Sequence, residues 1–230
     1  MKSRLLFILF FSYGLFVFGQ HTPHEPIGVQ LYSFREHFKV DVRGTMQRIK
    51  DMGIKEVECA GFYGLTPAEF KKNLDEVGLT PIGTGVNFDE LEDDVKLAES
   101  IKTAKILEAK FMVCFWIPHV EDGFTLEEAE RAIRVFNKAG KKIMENKLTL
   151  LYHPHGYEFR PYKDRYLMDL IIEKTLPQNV SYEMDINWVF HAGHNPVTWL
   201  KRYPTRWKAL HVKDRNTARR VINSVEWTLS

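Results

Sequence analysis

The sequence predicts an α/β fold in which repeated strand–helix units build a parallel barrel, and three observations point there. Short apolar runs alternate with helix-like segments, with little chain between them. Three of the later runs, ending near His153, Asp185 and His211, carry imidazole or carboxylate groups at their ends, and a parallel barrel gathers its strand ends at one mouth. The competing architecture, a doubly wound open sheet, calls for a glycine-rich phosphate loop after its first strand. Gln30-Leu-Tyr-Ser-Phe-Arg35 has no glycine at all.

Residues 1–20 hold Lys2 and Arg4 and then an apolar run to Gly19, the pattern of an export signal. The rival reading, an uncleaved membrane anchor, falls short of the ~20 apolar residues a span needs. The protein is therefore expected to be exported, periplasmic or secreted, and to touch a membrane only through this segment. The cleavage point stays open, because Phe18-Gly19-Gln20 lacks a small-x-small pattern, and no cysteine follows for lipid anchoring. The barrel is expected over 21–214 as one domain, with a divergent tail at 215–230.

Strands are expected at 27–32, 55–59, 80–86, 110–115, 147–153, 179–185 and 207–212. Each is a short run bounded by polar or turn residues. Helices are expected at 41–52, 66–77, 88–107 and 125–146, where apolar residues recur at i, i+3 and i+4. Thr66-Pro67 places proline just inside a helix start, and Thr125 with Glu128 forms a capping-box pattern. Gly53, Gly78 and Gly140 are read as lying at or near helix ends.

Without its leader the chain has about 210 residues, on the low side for an eight-unit barrel of ~250. The 32 basic and 30 acidic residues are spread throughout, so no basic stripe marks a nucleic-acid surface and none is expected as a partner. Cys59 and Cys114 end predicted strands, where a small buried apolar residue is favoured over a disulfide or a thiolate ligand. No P-loop, G-x-S-x-G elbow or Ser-His-Asp signature occurs.

His153 and His155 are two apart on an extended strand and so project from one face. They either share a metal or divide into one hydrogen-bonded core histidine and one loop histidine. Pro154 signals the strand end, and Glu158 is close enough in sequence to return as a ligand or general base. Asp185 ends a buried run, where a carboxylate needs a cation, a pairing partner or a helix to cap. His211 shares a face with Ala209, opposite Leu210, as a ligand or a satisfied core histidine. Lys213 and Asp214 either bind a hydroxyl or pair with each other. Gln30, Glu56 and Glu58 either face the pocket or form strand-end salt bridges. Phe62, Tyr63, Trp116 and Trp188 offer apolar faces to a sugar ring, or simply pack. Asp185 and His211 with His153 or Glu158 make a mixed oxygen and nitrogen set suited to Mn²⁺, Mg²⁺, Zn²⁺ or Co²⁺.

Five segments in order, Ile27-Gly-Val-Gln-Leu-Tyr-Ser33, Gly53-Ile-Lys-Glu-Val-Glu-Cys-Ala-Gly61, Tyr152-His-Pro-His-Gly-Tyr-Glu-Phe159, Met184-Asp-Ile-Asn-Trp-Val189 and Leu210-His-Val-Lys-Asp214, together resemble the sugar phosphate isomerase/epimerase family with the xylose-isomerase-like barrel. The resemblance covers 27–214. It implies a (β/α)₈ TIM barrel, a divalent metal at the C-terminal mouth, and proton transfer beside a carbonyl of a small-molecule carbohydrate. That family commonly holds its metal with an acidic residue of the fifth strand, an aspartate of the sixth, a histidine of the seventh and a glutamate of the eighth. Asp185 and His211 match the middle two, while His153 stands at the fifth-strand position with Glu158 a few residues on.

The assignment that follows has His153, Asp185 and His211 on the metal, Glu58 and Glu158 as catalytic groups, and Gln30, His155, Trp188 and Lys213 on the substrate. Residues 215–230 leave no room for another helix and strand, so the eighth unit is expected to be missing. A short strand at 221–229 with Glu226 as substitute carboxylate, or a partner subunit in a homo-oligomer, is the way such a gap would be covered. The alternative to an active isomerase is an impaired barrel that only binds carbohydrate. A third reading on the same fold, a nuclease acting at damaged DNA, runs against the even charge and the export signal.

Overall fold

A computed structural model describes residues 27–120 and 123–213. The leader at 1–20, Asp214, Glu226 and the tail at 215–230 lie outside the described residues. Seven parallel strands form the sheet: β1 (Gly28–Gln30), β2 (Glu56–Cys59), β3 (Thr80–Gly85), β4 (Phe111–Cys114), β5 (Thr149–Tyr152), β6 (Val180–Asp185) and β7 (Trp207–His211). They lie side by side in chain order, each paired with the next. All seven fall within the expected segments. Among the described residues no eighth strand joins this sheet; Pro161–Tyr162 and Arg165–Tyr166 pair only with each other, as a separate antiparallel ribbon.

The sheet curls. Six pairings carried flat would keep β2 and β7 roughly 24 Å apart, at ~4.8 Å per strand over five steps. Yet Glu58 Oε2 on β2 lies 3.4 Å from His211 Nε2 on β7. Only a barrel-like curvature brings those side chains across the interior. Among the described residues the outer edges of β1 and β7 pair with no strand. Beside those edges Ile27, Leu210 and Val212 are 79%, 49% and 77% exposed.

The two-residue alternation of strands sorts side chains into two layers. On β5, Leu150 and Tyr152 join the outer core under the helix Leu126–Glu145, with Tyr152 5.0 Å from the Phe136 ring, while Leu151 and His153 turn inward. Burying each such apolar side chain contributes roughly 1.5–3 kcal/mol, and Tyr152, Tyr182 and Phe136 are fully covered. A second, smaller core lies under the helices Val42–Asp51 and Pro67–Val77. Cys59 belongs to it, Cys114 to the larger one, and both are free thiols pushed up to about 12 by burial.

Thr66 and Thr125 close reciprocal capping boxes with Glu69 and Glu128. The helix expected at 88–107 is two, Phe88–Glu92 and Asp94–Ile106. Asp93 stands between them in extended conformation, and its carboxylate accepts from the amides of Val95 and Lys96. A side chain that captures those donors restarts the helix rather than continuing it. Gly53 and Gly78 sit at helix ends with φ of 84° and 82°. Gly140 does not: it lies inside Leu126–Glu145, where an added Cβ would come 2.4 Å from the Asn179 carbonyl oxygen. Its glycine serves close approach of the helix to the start of β6. Among the described residues no helix is long and apolar enough to cross a membrane.

Candidate metal centre

The sheet register brings the polar strand ends level. Gln30 pairs with Glu58, and Asp185 pairs with His211. Between β6 and β7 the register slips, so that Tyr182 faces Trp207 but Glu183 faces Ala209. Such an irregularity re-aims the following side chains. Trp207 packs outward on Tyr182, at 5.6 Å between rings, while His211 turns inward to the carboxylates.

His153 follows β5 directly, its amide donating to the Cys114 carbonyl at 3.0 Å. Its Nδ1 lies 2.8 Å from Glu183 Oε2, and its Nε2 lies 3.6 Å from Asp185 Oδ2. Burial, then the fields of His155, His211 and Lys213, hold this imidazole well below the usual histidine range, hence neutral. Asp185 does two things at once. Oδ1 caps the helix Ile186–His191 by accepting from the amides of Asn187 and Trp188, both at 3.0 Å, while Oδ2 faces Lys213 Nζ at 2.6 Å. His211 Nε2 lies 3.3 Å from Glu183 Oε1 and 3.4 Å from Glu58 Oε2, and its Nδ1 is buried with no hydrogen-bond partner among the described residues.

Two triplets of potential ligand atoms result, His153 with Asp185 and His211, and Glu58 with Glu183 and His211, each set lying within 4.8 Å. Burial alone would raise Glu58, but its hydrogen bonds with His211, Glu183 and Gln30 hold it below the usual carboxyl range. Glu183 is pushed the other way, by burial first and then by Glu58 and Asp185. Two close carboxyls in a low-dielectric site are driven apart in this way, one held below its usual range and the other above it. Two imidazoles, that of His153 held neutral, and the Asp185 carboxyl group make a nitrogen and oxygen donor set that fits a divalent cation.

The remaining sequence-derived candidates divide. Gln30 Nε2 donates to Glu58 Oε1 at 2.7 Å, fixing that carboxyl from the neighbouring strand. His155 stands between the rings of Trp116 and Trp188, at 5.9 and 5.5 Å, with its Nδ1 unpartnered among the described residues and its basicity lowered to about 4 by burial and then Lys213. Phe62 and Tyr63 pack on Phe70 and Phe38 in the smaller core. Glu158 is not brought to the cluster. The short 3-10 turn Tyr157–Phe159, entered through Gly156 at φ 103°, folds it into the helix-side layer. There it accepts from the Tyr152 hydroxyl and from the amides of His155 and Gly156. It has no exposed surface, and both its oxygens are engaged by those donors. Conversely, Glu183 is central here although the sequence reading did not single it out. Its signal was present: two residues before Asp185 on a strand, it had to share that residue's face.

Comparisons with known proteins bear on the fold and the family. A stretch of 92 residues is 35% identical to an inosose dehydratase of Mesomycoplasma hyopneumoniae, covering 40% of this chain and 30% of that enzyme. The chain thus matches under a third of that relative's length. A crystal structure of a sugar phosphate isomerase/epimerase from Parabacteroides distasonis superposes with a TM-score of 0.72 at 26% identity, over 84% of this chain and 80% of that one. A protein from Mycobacterium smegmatis described as a xylose isomerase-like TIM barrel in complex with magnesium superposes with a TM-score of 0.62 at 13% identity, over 82% of this chain and 74% of that one. The family profile described as xylose isomerase-like TIM barrel matches residues 34–224. Curled parallel strands, a polar cluster at their C-terminal ends and that profile coincide over most of the chain, which belongs to the xylose isomerase-like TIM barrel family.

Proposed function

We propose that the protein is a divalent-metal-dependent enzyme that removes a proton beside a carbonyl of a carbohydrate, as an isomerase or epimerase does. The observation that carries this reading is the convergence of His153, Asp185 and His211 within 4.8 Å, with the Glu58 carboxylate against the same imidazole. A divalent cation bound there supplies Lewis acidity at the carbonyl and its neighbouring hydroxyl. Glu58, positioned by Gln30, is the group that accepts the proton. Lys213, at the rim beside Asp185, donates a hydrogen bond to a substrate oxygen, and His155 with Trp116 and Trp188 forms an amphipathic wall for a sugar ring. The export-signal reading of residues 1–20 favours unphosphorylated sugars as substrates.

Elimination of water is the second reading, favoured by the partial match to an inosose dehydratase. It begins with the same proton removal and differs in losing a hydroxyl from the next carbon. Titration with Mn²⁺ or Zn²⁺ followed calorimetrically tests the metal site: wild type binds, and Asp185→Ala and His211→Ala lose at least about tenfold in affinity, as loss of a ligand demands. Variants that bind as wild type does refute the site. Deuterium exchange at the carbon beside the carbonyl of keto-sugars and inososes, followed by proton NMR, tests the chemistry. Exchange that Glu58→Gln abolishes supports it; thermal stabilisation by sugar without exchange instead supports a barrel that only binds.

A further inference from the structure

Glu183 is buried at the heart of the cluster and has no part in the chemistry just described. Lying two residues before Asp185 on β6, it sits about 6–7 Å deeper along the strand, below the mouth rather than at it. One carboxyl oxygen meets His153 Nδ1 at 2.8 Å, and the other meets His211 Nε2 at 3.3 Å. A histidine that binds metal through one nitrogen is ordinarily oriented by an acceptor on the other, and that acceptor fixes which nitrogen keeps the lone pair. We infer that Glu183 is the positioning residue of the centre: by accepting from His153 Nδ1–H it holds that ring with Nε2 free and aimed at Asp185. This inference rests on the metal-site reading above.

A direct ligand would behave differently. The second triplet, Glu58, Glu183 and His211, also lies within 4.8 Å, so Glu183 as a ligand of a separate cation is the competing role. Glu183→Gln separates the two, because the amide oxygen still accepts from Nδ1–H but is a poor metal donor, whereas Glu183→Ala removes both functions. Two readouts are needed: calorimetric Zn²⁺ affinity and stoichiometry, and the ¹⁵N shifts of the His153 ring in metal-free protein. The expected results are one Zn²⁺ per chain, affinity within about threefold of wild type for Gln and about 10- to 100-fold weaker for Ala. The His153 ring should be protonated at Nδ1 in wild type and Gln, and mixed in Ala. Gln as weak as Ala, or two ions falling to one, makes Glu183 a ligand and overturns the inference. An unchanged tautomer and affinity in Ala overturn it too. Wild type that binds no Zn²⁺ while Ala still shifts the tautomer refutes the metal reading alone and leaves the positioning of His153 by Glu183 standing.

Discussion

Glu158, read from the sequence as a catalytic group, lies in the helix-side layer, while Glu183, which the sequence reading did not single out, lies among the imidazoles and carboxylates, and the reason is local geometry. Strand parity puts His153, Glu183, Asp185 and His211 on the inward face, and the sequence reading singled out three of them, leaving out Glu183. Glu158 follows a proline and a glycine, beyond the reach of parity, and the left-handed Gly156 turns it to the outer layer. Burial raises its carboxyl to about 7 against the four hydrogen bonds that favour the charge. The folded state therefore holds the proton more tightly than the unfolded chain, whose carboxyl titrates near the usual 4.5. This contribution to stability is fully present below about pH 4.5 and is lost as pH rises through about 7. Its size is on the order of 3 kcal/mol. Urea denaturation at pH 5 and pH 8 should show the loss in wild type and a flatter difference in Glu158→Gln. That variant should also be less stable at pH 5 by about 1–3 kcal/mol, because one acceptor oxygen is gone and two donors are added to a buried site. Equal pH dependence in the two proteins contradicts the assignment.

At the scale of elements, the seven strands and the capped helix starts were readable because period, length and cap chemistry agree there. The break at Asp93 was not, since 88–107 keeps a helical apolar period on both sides and only a side chain competing for backbone donors divides it. Nor was the register slip that turns His211 inward, which depends on the pairing partner. Gly140 carries the sharpest prediction at this scale. Helix propensity alone would have Gly140→Ala stabilise by about 1 kcal/mol. The Asn179 carbonyl stands where the new methyl would go, so the helix must move off the sheet. Denaturation should show a loss of about 1–3 kcal/mol, the usual cost of overpacking. A gain would mean that helix and strand do not approach so closely. Thr125→Ala, which removes a capping box, should cost about 1 kcal/mol by the same measurement.

For the whole molecule, curvature is what gathers separate strand ends into one site: β2 and β7 contribute Glu58 and His211 to the same cluster only because the sheet curls. Barrel-type curvature was read from the polar groups at the strand ends, from the missing glycine loop and from the family resemblance, whereas alternation alone gave a parallel sheet without its shape. The proposed metal site also links binding to stability, since its candidate ligands come from strands far apart in sequence and assemble only on folding. Zn²⁺ at 100 times its dissociation constant should stabilise the fold by about 3 kcal/mol, and chelation should reverse this. The melting temperature should rise by roughly 5–10 °C for a chain of this size. His153→Ala should abolish that rise. The most direct measurement is anomalous scattering at the zinc edge from crystals of the protein grown with Zn²⁺. A peak about 2.0–2.2 Å from ring nitrogens of His153 and His211 and from an Asp185 oxygen is the predicted result. Zinc bound elsewhere, with no peak among those three side chains, would contradict it.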